Sequence, residues 1–212
     1  MILVFGGDSD MAPALQKKFN NVVLLSKENC DVTNMQEIKN NITAYRPDII
    51  INLAGVSNLQ LIKHSDPYKW LHEIAVNLVG SYNVAKVAVE NDVETMIFIG
   101  SVAGKYGKGI HSGYSASKAG VISLVQSLAM ENYNAYCISP GRVDTKMRER
   151  DFPGEDASTR LKPSEIARVV KEILNGKHQP GDNIIIRKRG TRTLRRVDKG
   201  APWREYLNVR EV

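Results

Sequence analysis

The sequence is short of almost everything that would set it apart from an ordinary globular chain. Only two cysteines, Cys30 and Cys137, occur in 212 residues. Two are too few for a disulfide framework, and their separation fits no metal-ligand spacing. A reduced, cytoplasmic compartment is the expectation. The four histidines, His64, His72, His111 and His178, are scattered without paired acids, so no metal site is expected. No apolar run reaches the roughly 18 residues of a membrane span. Residues 1–7 carry no basic stretch and read as a strand entering a turn rather than a targeting peptide. An apolar fraction of 42% and a charged fraction of 25% exclude a disordered chain or a fibre, and the length suits one domain.

Charge of one sign is also missing from most of the chain. Residues 1–186 hold 20 basic and 20 acidic side chains. The net charge of +6 falls in residues 187–212, with nine Lys/Arg and three Asp/Glu. A neutral body argues against a nucleic-acid-binding domain. The basic segment divides the chain into a domain over 1–190 and an extension over 191–212 that includes Trp203 and Tyr206. Such an extension is a solvated tail, a subunit contact or a binder of an anionic partner.

Short apolar runs do recur, at 2–5, 22–25, 49–53, 96–99, 135–138 and 184–186. They lack polar alternation, as strands covered on both faces do. Helical patterns separate them, at 10–19, 34–45, 67–90, 112–130 and 163–174. Thr33 is placed to cap the second, and Ser65 or Asp66 the third, with Pro67 at its first position. This alternation predicts an α/β fold: a doubly wound parallel sheet in three layers, α/β/α, as a single domain. Residues 146–160 carry no pattern. With Lys146, Arg148, Arg150 and Arg160 among four acids they read as a solvated loop, or as a contact for an anionic substrate.

Ligands of such sheets lie beyond the carboxyl ends of the strands. The first turn there holds Gly6, Gly7, Asp8, Ser9, Asp10 and Met11. Gly6 permits the tight turn that lets a pyrophosphate approach the backbone, but Asp10 and Ala12 stand where a fingerprint has its other glycines. Asp31, beside Val32, can accept from an adenine amino group. Asn52, Ala54 and Gly55 end the third strand where a cofactor can lie against the backbone. Tyr114 and Lys118, four apart, share a helix face. An ammonium beside a phenol lowers a pKa that starts near 10 and suits Tyr114 to proton transfer. Tyr82 and Lys86 repeat the spacing in mid-helix and read as structural. Ser101, at the end of the fourth strand, is placed to bond a substrate carbonyl. Ile99, two residues before it, excludes a hydrolase nucleophile elbow.

Taken in order, these pieces resemble the short-chain dehydrogenase/reductase superfamily, from residue 1 to about 190. The matching segments are the 6–12 turn, Asp31-Val32-Thr33, Asn52-Leu53-Ala54-Gly55, Asn77 in Val76-Asn77-Leu78-Val79-Gly80, Ser101, Tyr114 to Lys118, Pro140-Gly141-Arg142-Val143-Asp144-Thr145 and the closing strand at 181–186. The resemblance implies a Rossmann fold and an NAD(P)(H)-dependent oxidoreductase interconverting a carbonyl and an alcohol. It implies Tyr114 as general acid/base, with Lys118 lowering its pKa and holding the nicotinamide ribose. Ser101 would polarise the carbonyl, Asn77 would support a proton relay, and Pro140, Gly141, Val143 and Thr145 would flank the nicotinamide. A homodimer or homotetramer through helices 67–90 and 112–130 is also implied.

Two departures stand out. The chain runs straight from Leu25 to Asp31 without the usual intervening helix, leaving Ser26 and Lys27 at the strand end. Lys27 suits a 2′-phosphate, so NADP(H) is expected over NAD(H). His111 lies near Tyr114 and could touch substrate, but a surface loop histidine is the commoner case and the expectation. The alternative to an enzyme is a non-catalytic dinucleotide-sensing or interaction protein whose basic tail binds an anionic partner. The presence of Asn77, Ser101, Tyr114 and Lys118 together favours the enzyme.

Overall fold

The computed structural model describes residues 1–188. The expected extension at 191–212 lies outside the described residues. Six strands form one parallel sheet: β1 (Ile2–Phe5), β2 (Val22–Leu25), β3 (Ile49–Asn52), β4 (Thr95–Ile99), β5 (Ala135–Pro140) and β6 (Asn183–Ile186). Their order is β2-β1-β3-β4-β5-β6. The chain steps from β1 to one side and returns to pair β3 on the other, so the winding reverses between them. That reversal opens a crevice above the strand ends.

Successive side chains point to opposite faces, and both faces are covered. Leu3 and Phe5 pack with α2 (Met35–Tyr45), α4 (Gly80–Glu90) and α6 (Ser112–Met130), through Ile38, Ile42, Val84 and Val121. Ile2 and Val4 pack with α1 (Ala12–Lys18) and α8 (Pro163–Leu174), through Leu15, Ile166 and Val170. Double coverage is why the central strands are mostly apolar, with polar residues such as Asn52 and Ser139 near their carboxyl ends. The outer strands differ from expectation. β2 and β6 are only partly buried, because each is an edge with a neighbour on one side. Residues 26–34 contain turns alone, so among the described residues no further strand pairs with the outer edge of β2.

Local chemistry adjusts several expected boundaries. Asn34, not Thr33, caps α2 by accepting from the Gln36 and Glu37 N–H groups. The Thr33 hydroxyl is engaged instead with Asp31 at 2.8 Å. Asp66 caps α3 (Pro67–Ile74), accepting from Tyr68 N–H at 2.9 Å. The helix expected over 67–90 runs through, but a π-helical turn at Ala75–Val79 separates α3 from α4. A π-turn inside a helix frequently marks a functional position, and this one carries Asn77.

The segment expected as a patternless loop is organised. Thr145 caps a short helix, α7 (Lys146–Asp151), and a 3₁₀ turn follows at Ala157–Thr159. The organiser is Arg160, whose side chain is 2% exposed and pairs with Glu149, Asp144 and Glu155. These tertiary ion pairs leave no trace in hydropathy, which is why the sequence pattern missed them.

Candidate active site

A cavity of about 570 Å³ runs along the carboxyl ends of β1, β3, β4 and β5. Its wall gathers most of the residues singled out by sequence. Gly6, Ser9, Asp10 and Met11 line one end, and Lys27, Asp31 and Val32 lie alongside. Ala54, Gly55, Ser101, Tyr114 and Lys118 line the middle, with Pro140, Gly141, Val143 and Thr145 opposite. Gly6 has φ +75°, and a Cβ there would sit 2.5 Å from Ala54 N. The first turn therefore needs glycine to fold down against the end of β3.

Four expected site residues do not line the cavity. Gly7 donates its N–H to Leu25 O at 2.7 Å and holds the turn to β2. Ser26 bonds Asn29 Oδ1 at 2.7 Å. Asn52 is 2% exposed, accepts from Ala54 N–H and donates to Ser81 Oγ. Asn77 is fully buried; its Oδ1 accepts from Val56 N–H at 2.8 Å, and its Nδ2 donates to Val56 O and Ser117 Oγ. Ser117 in turn donates to Tyr114 O. Asn77 thus ties the loop after β3 to the first turn of α6, and reaches the cavity through those partners.

Tyr114 and Lys118 sit one turn apart on α6. Lys118 is 4% exposed; its Nζ donates to Ile99 O at 2.8 Å and lies 5.8 Å from the Tyr114 ring centre. Burial pushes its ammonium down to about 8. Tyr114 is half-buried, and burial raises its phenol above the ordinary 10 while a hydrogen bond with Ser101 opposes the rise. Dehydration of the phenol dominates, and the neighbours that favour the anion are Ser101 and then Arg148, rather than the expected Lys118. Ser101 also caps α5 (Val102–Lys105), accepting from Ala103 N–H at 3.1 Å. The other Tyr-x-x-x-Lys pair is apart from all this: Lys86 bonds Glu90 on the surface at 2.6 Å.

The cofactor end carries mixed charge. Lys27 Nζ lies 3.9 Å from Asp31 Oδ2. Backbone hydrogen bonding from Thr33 holds the Asp31 carboxyl below its usual range. Asp10 turns its carboxylate away to accept Lys146 N–H at 2.7 Å, joining the first turn to α7.

Two buried polar groups beside Tyr114 depart from the sequence reading, His111 on the cavity wall and Glu73 behind it. His111, expected on the surface, is 7% exposed, lies 5.9 Å from the Tyr114 ring and stacks on Phe152 at 5.7 Å. Burial lowers its pKa, so it is a neutral ring at pH 7. Glu73 is 2% exposed, accepts Asn58 N–H at 2.7 Å and bonds the Tyr114 backbone. A carboxylate at the start of α6 satisfies donors that the helix leaves open. A Cβ on Gly113 would run into Glu73 Oε2, so glycine is required beside Tyr114.

The model of the short chain dehydrogenase family matches residues 5–156. The chain belongs to that family. It is 35% identical over 131 residues to the 3-oxoacyl-(acyl-carrier-protein) reductase MabA of Mycobacterium bovis, covering 56% of this chain and 53% of that protein. The chain therefore spans about half the length of that relative. It is 26% identical to carbonyl reductase family member 4 of Danio rerio, covering 88% of this chain and 95% of that one. Among solved structures, ligand-free aldohexose dehydrogenase of Thermoplasma acidophilum superposes with a TM-score of 0.74. That match has 20% identity and covers 87% of this chain and 91% of that one, which establishes the shared fold. Among the described residues no helix is long and apolar enough to cross a membrane.

Proposed function

We propose that this protein is an NAD(P)(H)-dependent oxidoreductase that interconverts a small-molecule carbonyl and its alcohol. The observation that carries the reading is the convergence of Tyr114, Ser101 and Lys118 on one cavity at the switch point of the sheet. Relatives named as reductases support it.

The cavity suits a dinucleotide. Its floor is small or backbone-like at Gly6, Ala54, Gly55 and Gly141, and its donors include the Lys118 ammonium. The Asp10 carboxylate is held by Lys146 N–H at 2.7 Å. A bound nicotinamide dinucleotide supplies the hydride. The residues of the chain do the rest. Tyr114 gives its hydroxyl proton to the substrate oxygen and takes it back in reverse. Ser101 donates a hydrogen bond to that same oxygen and supports the phenolate. Lys118 has ammonium hydrogens beyond the one given to Ile99 O, for ribose hydroxyls and for the developing phenolate. Asn77 holds the loop and helix that frame the site.

Lys27 favours NADP(H) over NAD(H), although Asp31 shares its charge. Exposed Tyr68, Leu71, Val79 and Tyr82, on the α3–α4 unit, support a homodimer or homotetramer through that face. The buried free thiols Cys30 and Cys137 support a reducing, cytoplasmic setting. The test is separate titration of the full chain with NADPH and NADH, followed by nicotinamide fluorescence. One should bind in the micromolar range, and Tyr114→Phe should lose at least a hundredfold in turnover with cofactor affinity little changed. Binding of neither nucleotide overturns the reading, and near-full activity in the variant overturns the role of Tyr114.

A further inference from the structure

The end of the cavity beyond Tyr114 has a surplus of positive charge. Lys108, Arg142 and Arg148 line it together. Lys108 belongs to the turn entering α6, where His111 N–H donates to Lys108 O. Arg142 follows β5, and Arg148 lies on α7, so three separate elements bring cations to one wall. Asp151 also lines the cavity, but it is paired with Arg150 at 2.7 Å, which leaves Glu155 as the carboxylate bonded to the cluster. Arg148 forks onto Glu155 at 2.7 and 2.5 Å, and Arg142 reaches the same carboxylate at 3.1 Å. Arg160 takes a share of it at 3.3 Å. One buried carboxylate thus serves three guanidinium groups, and Lys108 forms no ion pair among the described residues.

The neighbours strengthen this imbalance. Burial and then the like charges of Arg148 and Arg142 push the Lys108 ammonium down to about 8. Arg187 acts on it in the same direction, and Glu155 opposes them. Arg148 lies 3.7 Å over the Phe152 ring, and Phe152 stacks on His111, which faces Tyr114. An apolar step two rings wide therefore separates the proton-transfer group from the cations. The cofactor end of the cavity, at Lys27 and Asp31, is a different region and carries balanced charge. A cluster of three cations that shares one carboxylate inside a cleft is a site for an anion supplied from outside.

We infer that Lys108, Arg142 and Arg148 form an anion subsite beside Tyr114, and that the carbonyl substrate carries a carboxylate or phosphate group on a short spacer. The substrate is then an oxo acid or an oxo phosphate ester rather than a neutral ketone. The substrate half of this inference rests on the proposed carbonyl chemistry; the subsite stands on the charges alone.

The experiment is calorimetric titration of the full chain, with and without saturating NADPH, using acetoacetate, inorganic phosphate and the neutral ethyl acetoacetate. At least one anion should bind with a stoichiometry of one and at least tenfold tighter than the ester. Lys108→Met should weaken that anion at least tenfold, and Lys108→Glu should abolish its binding, with NADPH affinity unchanged and melting temperature not lowered. Lys108 belongs to a turn outside both core clusters and lends only its charged end to the cleft, so both variants are expected to fold. Acetoacetate as the tighter ligand assigns the oxo acid class, and phosphate as the tighter one assigns the phosphate esters. Anions that bind no better than the ester, or as well to Lys108→Met, overturn the subsite. Anion binding without NADPH binding would keep the subsite and overturn the redox reading. NADPH binding without anion binding would do the reverse.

Discussion

Replacing Lys118 by methionine should make the protein more stable at neutral pH while removing its activity. The side chain is 4% exposed, and its ammonium falls from the ordinary 10.5 to about 8 because burial strips its water. At about 1.36 kcal/mol per pKa unit, holding that charge in the fold costs about 3 kcal/mol. Methionine fills a similar volume without a charge. It also leaves Ile99 O without the 2.8 Å bond it accepts, at a cost of about 1–2 kcal/mol. The difference is a net gain of about 1–2 kcal/mol, or several degrees in melting temperature for a chain of this size.

The pH dependence carries the argument further. Below about pH 8 both folded and unfolded states hold the Lys118 proton, and the native protein bears the full burial cost. Between about 8 and 10.5 the unfolded state binds more protons, so the wild type gains stability as pH rises. Above 10.5 the amine is neutral in both states, and only the lost Ile99 bond distinguishes the variant. Methionine should therefore be the more stable form at pH 7 and the less stable one above pH 10.5. Urea melts of both proteins at pH 7, 8.5 and 10 would read this, since the titrations of other groups cancel in the difference. A variant less stable at pH 7, by the same margin at every pH, would refute the idea of a strained, desolvated ammonium. Loss of turnover alongside the gain would show stability given up for function.

Other perturbations follow from single contacts. Gly6→Ala places a Cβ 2.5 Å from Ala54 N at a φ of +75°, and should cost at least about 2 kcal/mol and the dinucleotide affinity; urea melts and nucleotide titration check both. Gly113→Ala drives a methyl into Glu73 Oε2 and should cost about 1–3 kcal/mol, with turnover falling further than cofactor affinity because Tyr114 is the next residue. Burial alone would raise the Glu155 carboxyl, but Arg148, Arg142 and Arg160 hold it below its ordinary 4.5. Its contribution is therefore complete above that value and is lost as pH falls. Glu155→Gln should destabilise by about 3 kcal/mol at pH 7, and acid melts should show the gap to wild type closing below pH 4.

The sheet was legible because its chemistry is local and repetitive. Strands in a covered parallel sheet are mostly apolar without alternation, and β1 and β2 fall where the apolar runs do. The helices α6 and α8 match their expected bounds for the same reason. Legibility fails where the deciding partner is remote in sequence. Arg160 looks like a solvated charge until Glu149, Asp144 and Glu155 close around it. Glu73 looks like a defect in an amphipathic helix until Asn58 and Tyr114 supply its donors. Asn52 and Asn77 carry motif positions, yet hydrogen bonds with the backbone hold them behind the cavity wall.

Asp10 shows how the two kinds of information combine. By sequence it is a defect, a negative charge where the turn fingerprint has glycine. In the fold its carboxylate accepts Lys146 N–H, 136 positions away, and so clamps the first turn to the start of α7. The same short helix carries Arg148 to the far wall of the cavity. A substitution that weakens the pyrophosphate turn by one criterion thus anchors the segment that shapes the substrate end. The two halves of the cavity are mechanically joined, and a change at Asp10 should be felt at Arg148 as well as at the nucleotide.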